Sequence, residues 1–318
     1  MKHIKFGVFP LLSKPGFPVE EWVQSVKKIE ELGYSGVFQE DHFNTTAYDP
    51  IALLASAASV TRTLKIGSFV FSVDFRHPVI LAKAAATLHL ISSGRFEFGI
   101  GAGYQQYDYN MAGIPLDPAG TRVERLEEAL KIIIGMWTQE KTSFIGKHYQ
   151  VSEMEKAGEL AEGKHPKIMI GAGGKRMLRL AAKYADIVNI IPPWPGSWGK
   201  DIENQTIEGI IRKINIVKRA AEDFGRDPAC IEFQLLVLWN EMTDSSERIR
   251  DRVDGISKEF GTSSEVITKS EFVLIGSSSY IKDRINRLID ETGISYFVLN
   301  IRRDQFKEYS QNIIKPLT

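Results

Sequence analysis

Gln39-Glu40-Asp41-His42 sets two carboxylates beside an imidazole, the residue types needed to move a proton and to orient the group that moves it. The same four residues also suit a solvated acidic turn. Two glycine runs are the next candidates, Gly99-Ile100-Gly101-Ala102-Gly103-Tyr104 and Gly171-Ala172-Gly173-Gly174-Lys175. Glycines let backbone approach a ligand or make a tight turn, and the first run is open to both readings. The second run leads directly into a helical pattern. Unpaired N–H groups and the positive dipole end of such a helix favour a phosphate by about 0.3–1 kcal/mol per charge. No Lys-Ser or Lys-Thr completes a triphosphate loop there. A fourth stretch, from Ile191 to Trp198, places Trp194 and Trp198 among three prolines, where they either wall a planar ligand or cap the fold.

Other chemistries lack their residues. Cys230 is the single cysteine, and the six histidines show no paired spacing, so neither thiol nor metal chemistry is expected. There is no Gly-x-Ser-x-Gly elbow, and no carboxylate follows 96–100 to complete the paired acids of a glycosidase. Forty Lys plus Arg balance forty Asp plus Glu, leaving no net field toward nucleic acid or anionic lipid. The longest uncharged stretch, from Ile187 to Gly199, is well short of the ~20 apolar residues of a membrane span. Met1-Lys2-His3-Ile4-Lys5 enters a strand-like run without a signal-peptide core, so a cytoplasmic protein is expected.

The elements that must position these residues repeat. Short apolar runs at 4–9, 36–38, 64–73, 96–100, 167–170, 186–190, 231–238 and 296–300 read as strands. Helical patterns start at Pro18, Pro50, Pro78 and Thr121 and recur at 175–184, 207–224, 244–259 and 280–289. Thr121 and Glu124 have capping-box spacing. Eight such units predict a (β/α)8 barrel over residues 1–318, one domain with insertions near 102–120, 138–166, 191–206 and 260–279. A doubly wound open sheet alternates in the same way but usually stops at five or six strands. In a barrel the chemistry collects at the C-terminal ends of the strands, where the Asp-His pair and both glycine runs fall.

Several segments resemble the bacterial-luciferase-like oxidoreductases. They are Asp49-Pro50, Ile66-Gly67-Ser68, Asp74-Phe75-Arg76-His77-Pro78-Val79, 81–88, Gly94-Arg95-Phe96 and the 99–103 run. The continuation Ala112-Gly113-Ile114-Pro115 to Arg122-x-x-Arg125-Leu126-Glu127-Glu128-Ala129 is most similar to the branch that uses the deazaflavin coenzyme F420. The resemblance implies a (β/α)8 barrel with a flavin or deazaflavin ring in its mouth. Hydride then moves between F420, or alternatively FMN, and a small organic substrate. It implies that Asp41 contacts the cofactor and His42 sits at the reacting face with Tyr104. It also implies a bulge with a non-proline cis peptide at Ser72-Val73 behind the ring. Gly101, Ala102, Gly103, Tyr107 and Asn189 join the cofactor contacts, and Gly171, Ala172, Gly173, Gly174 and Lys175 form the phosphate loop. Tyr104 stands where sugar-phosphate dehydrogenases of this family carry a glutamate, which speaks against a sugar phosphate. An FMN monooxygenase that activates oxygen and a barrel that binds flavin without turnover are the alternatives. A homodimer is expected, with neither nucleic acid nor membrane as partner.

Overall fold

In the computed structural model, described for residues 3–9, 18–43, 48–158, 160, 164–191 and 201–318, eight parallel strands close on themselves. They are β1 (Lys5–Val8), β2 (Gly36–Gln39), β3 (Lys65–Ser68), β4 (Phe96–Gly101), β5 (Lys167–Ala172), β6 (Ile187–Ile190), β7 (Glu232–Val237) and β8 (Tyr296–Leu299). Each pairs with the next, and β8 returns to β1 through Lys5↔Tyr296. Successive side chains of a strand point to opposite faces. Phe38, Phe69, Met169, Leu236, Tyr296 and Val298 therefore fill the barrel interior, while the alternate residues pack outward on the helices.

The surrounding helices are α1 (Val19–Glu31), α2 (Pro50–Val60), α3 (Pro78–Ile91), α4 (Ala119–Thr138), α5 (Lys175–Tyr184), α6 (Ile207–Asp223) and α7 (Ser278–Thr292). Trp22, Val26 and Ile29 are the fully buried face of α1, four and three residues apart as a helix requires. Asp49 caps α2 by accepting the Ala52 amide at 3.0 Å, with Pro50 in the first turn. The C-terminal helical run over 306–317 closes the ring, held to the end of α1 by hydrogen bonds from Tyr34 Oη to Phe306 O (2.9 Å) and from Ser310 Oγ to Leu32 O (2.6 Å).

Three sequence expectations need correction. First, α4 starts at Ala119 after Pro118, so Thr121 is already inside the helix and caps nothing. Glu124 instead meets Arg176 at 3.1 Å and Lys147 at 3.3 Å. Second, the strand expected over 64–73 is divided. Ile66 pairs with Phe96 but Phe71 with Ile100, so one extra residue is inserted on the β3 side. The cis peptide lies within this bulge, at Phe69–Val70 and not at Ser72-Val73. Ser68 Oγ fills the interrupted ladder, accepting from Gly99 N at 2.9 Å and donating to Gly99 O at 2.8 Å. Third, the insertions carry strands of their own. Lys141–Ile145 and Gln150–Glu155 form an antiparallel hairpin, while Trp239–Met242 and Val273–Gly276 pair in parallel around Ser246–Phe260 and Ser264–Lys269.

Candidate active site

The inward residues at the C-terminal end of the barrel surround a cleft of about 400 Å³. Its apolar lining includes Phe9, Phe69, Val70, Met177, Leu236 and Leu238, and its polar lining includes Glu40, Asp41, His42, Tyr104, Asn189 and Asn300. Gly171 leaves open space on one side, since a Cβ there would meet nothing nearer than Ile191 at 3.8 Å.

Asp41 and His42, adjacent in sequence, are turned to different partners. Arg76 Nη1 donates to both Asp41 oxygens at 2.6 and 2.8 Å, and the Ser72 amide donates at 3.0 Å. Burial pushes the Asp41 carboxyl up, and the Arg76 guanidinium and the Ser72 amide pull it back. Burial also works against the Arg76 charge, but Asp41 and Asp49 outweigh it and hold the guanidinium above its usual range.

The carboxylate that orients His42 is thus not its neighbour Asp41 but Asp108, 66 residues away on the short helix Gln106–Ala112. His42 Nδ1 lies 2.5 Å from Asp108 Oδ2, and the Phe43 amide donates to Asp108 Oδ1 at 3.0 Å. This arrangement puts the ring proton on Nδ1 and leaves Nε2 as the working nitrogen. Tyr104 Oη stands 3.2 Å from Nε2, with the two rings edge to face at 5.6 Å. The Tyr104 ring is 41% exposed, yet its hydroxyl is turned inward. Burial raises that hydroxyl's pKa, and the charges of Glu40 and Asp108 raise it further. Sequence reasoning did not reach Asp108, whose only signal was an acid in the turn after the first glycine run.

The glycine run after β4 divides between two uses. Gly101 and Ala102 line the cleft. Gly103 also borders it, but its φ of +70° and a Cβ that would fall 1.9 Å from Tyr109 Oη make glycine a packing requirement there. Tyr109 donates to Asp74 at 2.6 Å, and Arg125 meets the same carboxylate at 2.5 Å. Arg122 donates to the Gly103 carbonyl. Both arginines of the Arg122-x-x-Arg125 stretch therefore hold the cleft wall.

Ser72 lines the cleft, whereas Val73 faces the outer core. Ala172 likewise packs outward, and Tyr107, 56% exposed, lies outside the lining. Gly173, Gly174 and Lys175 are not in the lining either; they form the start of α5, two residues before Met177, which is. No side chain among the described residues caps this helix start, and its first turn carries no acid. Asn189 faces inward, with Nδ2 donating to Gln234 Oε1 at 2.9 Å. Asn189 Oδ1 and Gln234 Nε2 are buried without a partner among the described residues. Trp194 and Trp198 lie outside the described residues. No group of three or more His, Cys, Asp or Glu side chains among the described residues is placed to hold a metal. An apolar cleft with open glycine space, unspent buried amide atoms and an uncapped helix start beside it fits a planar heterocycle with a phosphate tail.

Residues 4–260 match the family described as luciferase-like monooxygenase. The chain is similar to 4-hydroxyprotoasukamycin monooxygenase of Streptomyces nodosus subsp. asukaensis, 29% identical over 64% of this chain and 58% of the relative. It is also similar to an F420-dependent glucose-6-phosphate dehydrogenase of Microbacterium testaceum, 34% identical over 49% of this chain and 48% of the relative. The chain spans about half the length of these curated relatives. A solved F420-dependent secondary alcohol dehydrogenase in complex with an F420-acetone adduct shares the fold, with a TM-score of 0.80 at 16% identity and 99% of each chain covered.

Proposed function

The chain belongs to the luciferase-like monooxygenase family, and on that premise we propose that it is an oxidoreductase of small organic substrates working with coenzyme F420, or alternatively FMN, held in the cleft. When bound, such a group supplies two-electron hydride chemistry. Ser72, Gly101, Ala102 and Asn189 would border its ring, with Asp41 holding the wall behind through Arg76 and the Ser72 amide. The amides of Gly173, Gly174 and the α5 start would receive its phosphate.

The observation that carries this reading is the Asp108–His42–Tyr104 chain at the cleft mouth. An alcohol that loses hydride must also lose its hydroxyl proton, and a carbonyl that gains hydride must gain one. His42 Nε2 would take or return that proton, because Asp108 occupies Nδ1 and fixes the ring. Tyr104, its hydroxyl kept protonated by burial and 3.2 Å from Nε2, would pass its own proton to Nε2 as it takes the substrate's, so the exchange runs through that hydroxyl.

Anaerobic titration of the purified protein with F420, FMN and FAD tests the reading. Saturable binding of F420 or FMN is expected, and absence of binding by all three overturns it. The similarity to a monooxygenase supports a second reading, oxygen activation with FMN; oxygen uptake with reduced FMN and none with reduced F420 would favour it.

A further inference from the structure

Glu40 is the acid of the mouth with no task in the chemistry above. Phe38, two residues earlier, packs inside the barrel with Phe69, Leu236 and Tyr296. Strand alternation sends Glu40 to the same side, where it lines the cleft. The neighbouring carboxylates are committed, Asp41 to Arg76 and the Ser72 amide, Asp108 to His42 and the Phe43 amide. Glu40 is only partly exposed and forms no hydrogen bond or ion pair among the described residues. Burial pushes its carboxyl up and the charge of Asp108 adds to this, against the pull of His42. A carboxyl partly withdrawn from water at a cleft, with no protein partner among the described residues, keeps hydrogen-bonding capacity for a ligand. No lysine or arginine belongs to the described lining of the cleft, and with Asp41 spent on Arg76 and Asp108 on His42, Glu40 is the carboxylate that an anionic ligand would meet uncompensated among the described residues.

We propose that Glu40 is a specificity-determining residue: its carboxyl hydrogen-bonds the oxygen function of an uncharged, otherwise apolar substrate and excludes compounds that carry a phosphate or carboxylate. Ionised, it accepts from a hydroxyl; protonated, it donates to a carbonyl, so either state serves an alcohol–carbonyl pair. The inference rests on the proposed function only in taking this cleft as the substrate site.

Calorimetric titration with two probes of one skeleton, cyclohexanol and cyclohexanecarboxylate, tests it on the full chain with and without F420. Wild-type protein should bind cyclohexanol about tenfold or more tightly than the carboxylate. Glu40→Gln, close to isosteric, should abolish most of that preference, and Glu40→Asp should keep it; thermal melts check that both variants fold. A preference unchanged in Glu40→Gln, a wild-type preference for the carboxylate, or no binding of cyclohexanol overturns the inference. The readout is independent of redox chemistry. A protein that binds neither F420 nor FMN but keeps a Glu40-dependent charge preference refutes the proposed function alone, and the converse result refutes this inference alone.

Discussion

His42 and Asp41 are neighbours in the chain and opposites in the site. One imidazole nitrogen is fixed by a buried acid and the other faces the Tyr104 hydroxyl, while the Asp41 carboxylate is locked to a guanidinium. Their substitutions should therefore differ. His42→Ala should lower turnover of an accepted substrate by about 100-fold to 10,000-fold, the usual range for lost acid–base help, and leave cofactor affinity nearly unchanged. Asp41→Ala should chiefly weaken cofactor binding, because it releases Arg76 and the Ser72 amide behind the ring. Steady-state rates and cofactor titrations on both variants check this. Normal turnover by His42→Ala would reduce His42 to a packing residue and move the proton role to Tyr104.

At the scale of elements, two helix starts bound the cleft differently. Among the described residues the α5 start offers bare amides, and a Cβ at Gly174 meets nothing within 4 Å. Gly174→Val should fold normally yet weaken cofactor binding about tenfold or more by screening the amides; unchanged affinity in a folded variant places the phosphate elsewhere. Lys213 of α6 is 4% exposed and ties down the chain after β6, donating to Ile191 O and Asn204 O, each at 3.1 Å. Burial pushes its pKa down to about 8 from an ordinary 10.5, against the pull of Asp201. Between those values the unfolded chain holds the proton that the folded chain has released. Stability should therefore rise with pH across that window, on the order of 1 kcal/mol per pH unit from this group. Urea unfolding of wild type and Lys213→Met at several pH values measures it, and equal slopes would show that Lys213 is not the source.

Across the whole molecule, α3 is a helix that exposes three large apolar side chains. Ile80, Leu90 and Ile91 of α3 are 61%, 49% and 47% exposed. The adjoining α2 adds Ala52 and Ala55, small enough to allow close approach. This face is expected to pair two copies of the chain, and Ile80→Arg should shift the pair toward monomer. Light scattering that reports a wild-type monomer at all working concentrations would refute it. No helix among the described residues is long and apolar enough to cross a membrane.

Much of this protein was readable without coordinates. The eightfold alternation of short apolar runs with amphipathic helices is local, set by side-chain periods of two and 3.6, and it determined the barrel. The barrel in turn directs attention to the strand ends, where Asp41, His42 and both glycine runs lie. The hairpin in the 138–166 insertion escaped because its strands are largely exposed and polar, with little apolar alternation to mark them. Tertiary structure alone decided the rest, because those choices depend on partners distant in the chain. Asp108 reaches His42 only after β2 and the turn following β4 are brought side by side. The bulge after β3 is visible only in its register against β4, which one inserted residue shifts and Ser68 repairs. Val73 and Ala172 read as site residues from their position in the chain, yet strand alternation turns them outward. Glu40, a plain acidic turn residue in the sequence, is left without a partner among the described residues because its neighbours' partners arrive from elsewhere in the fold.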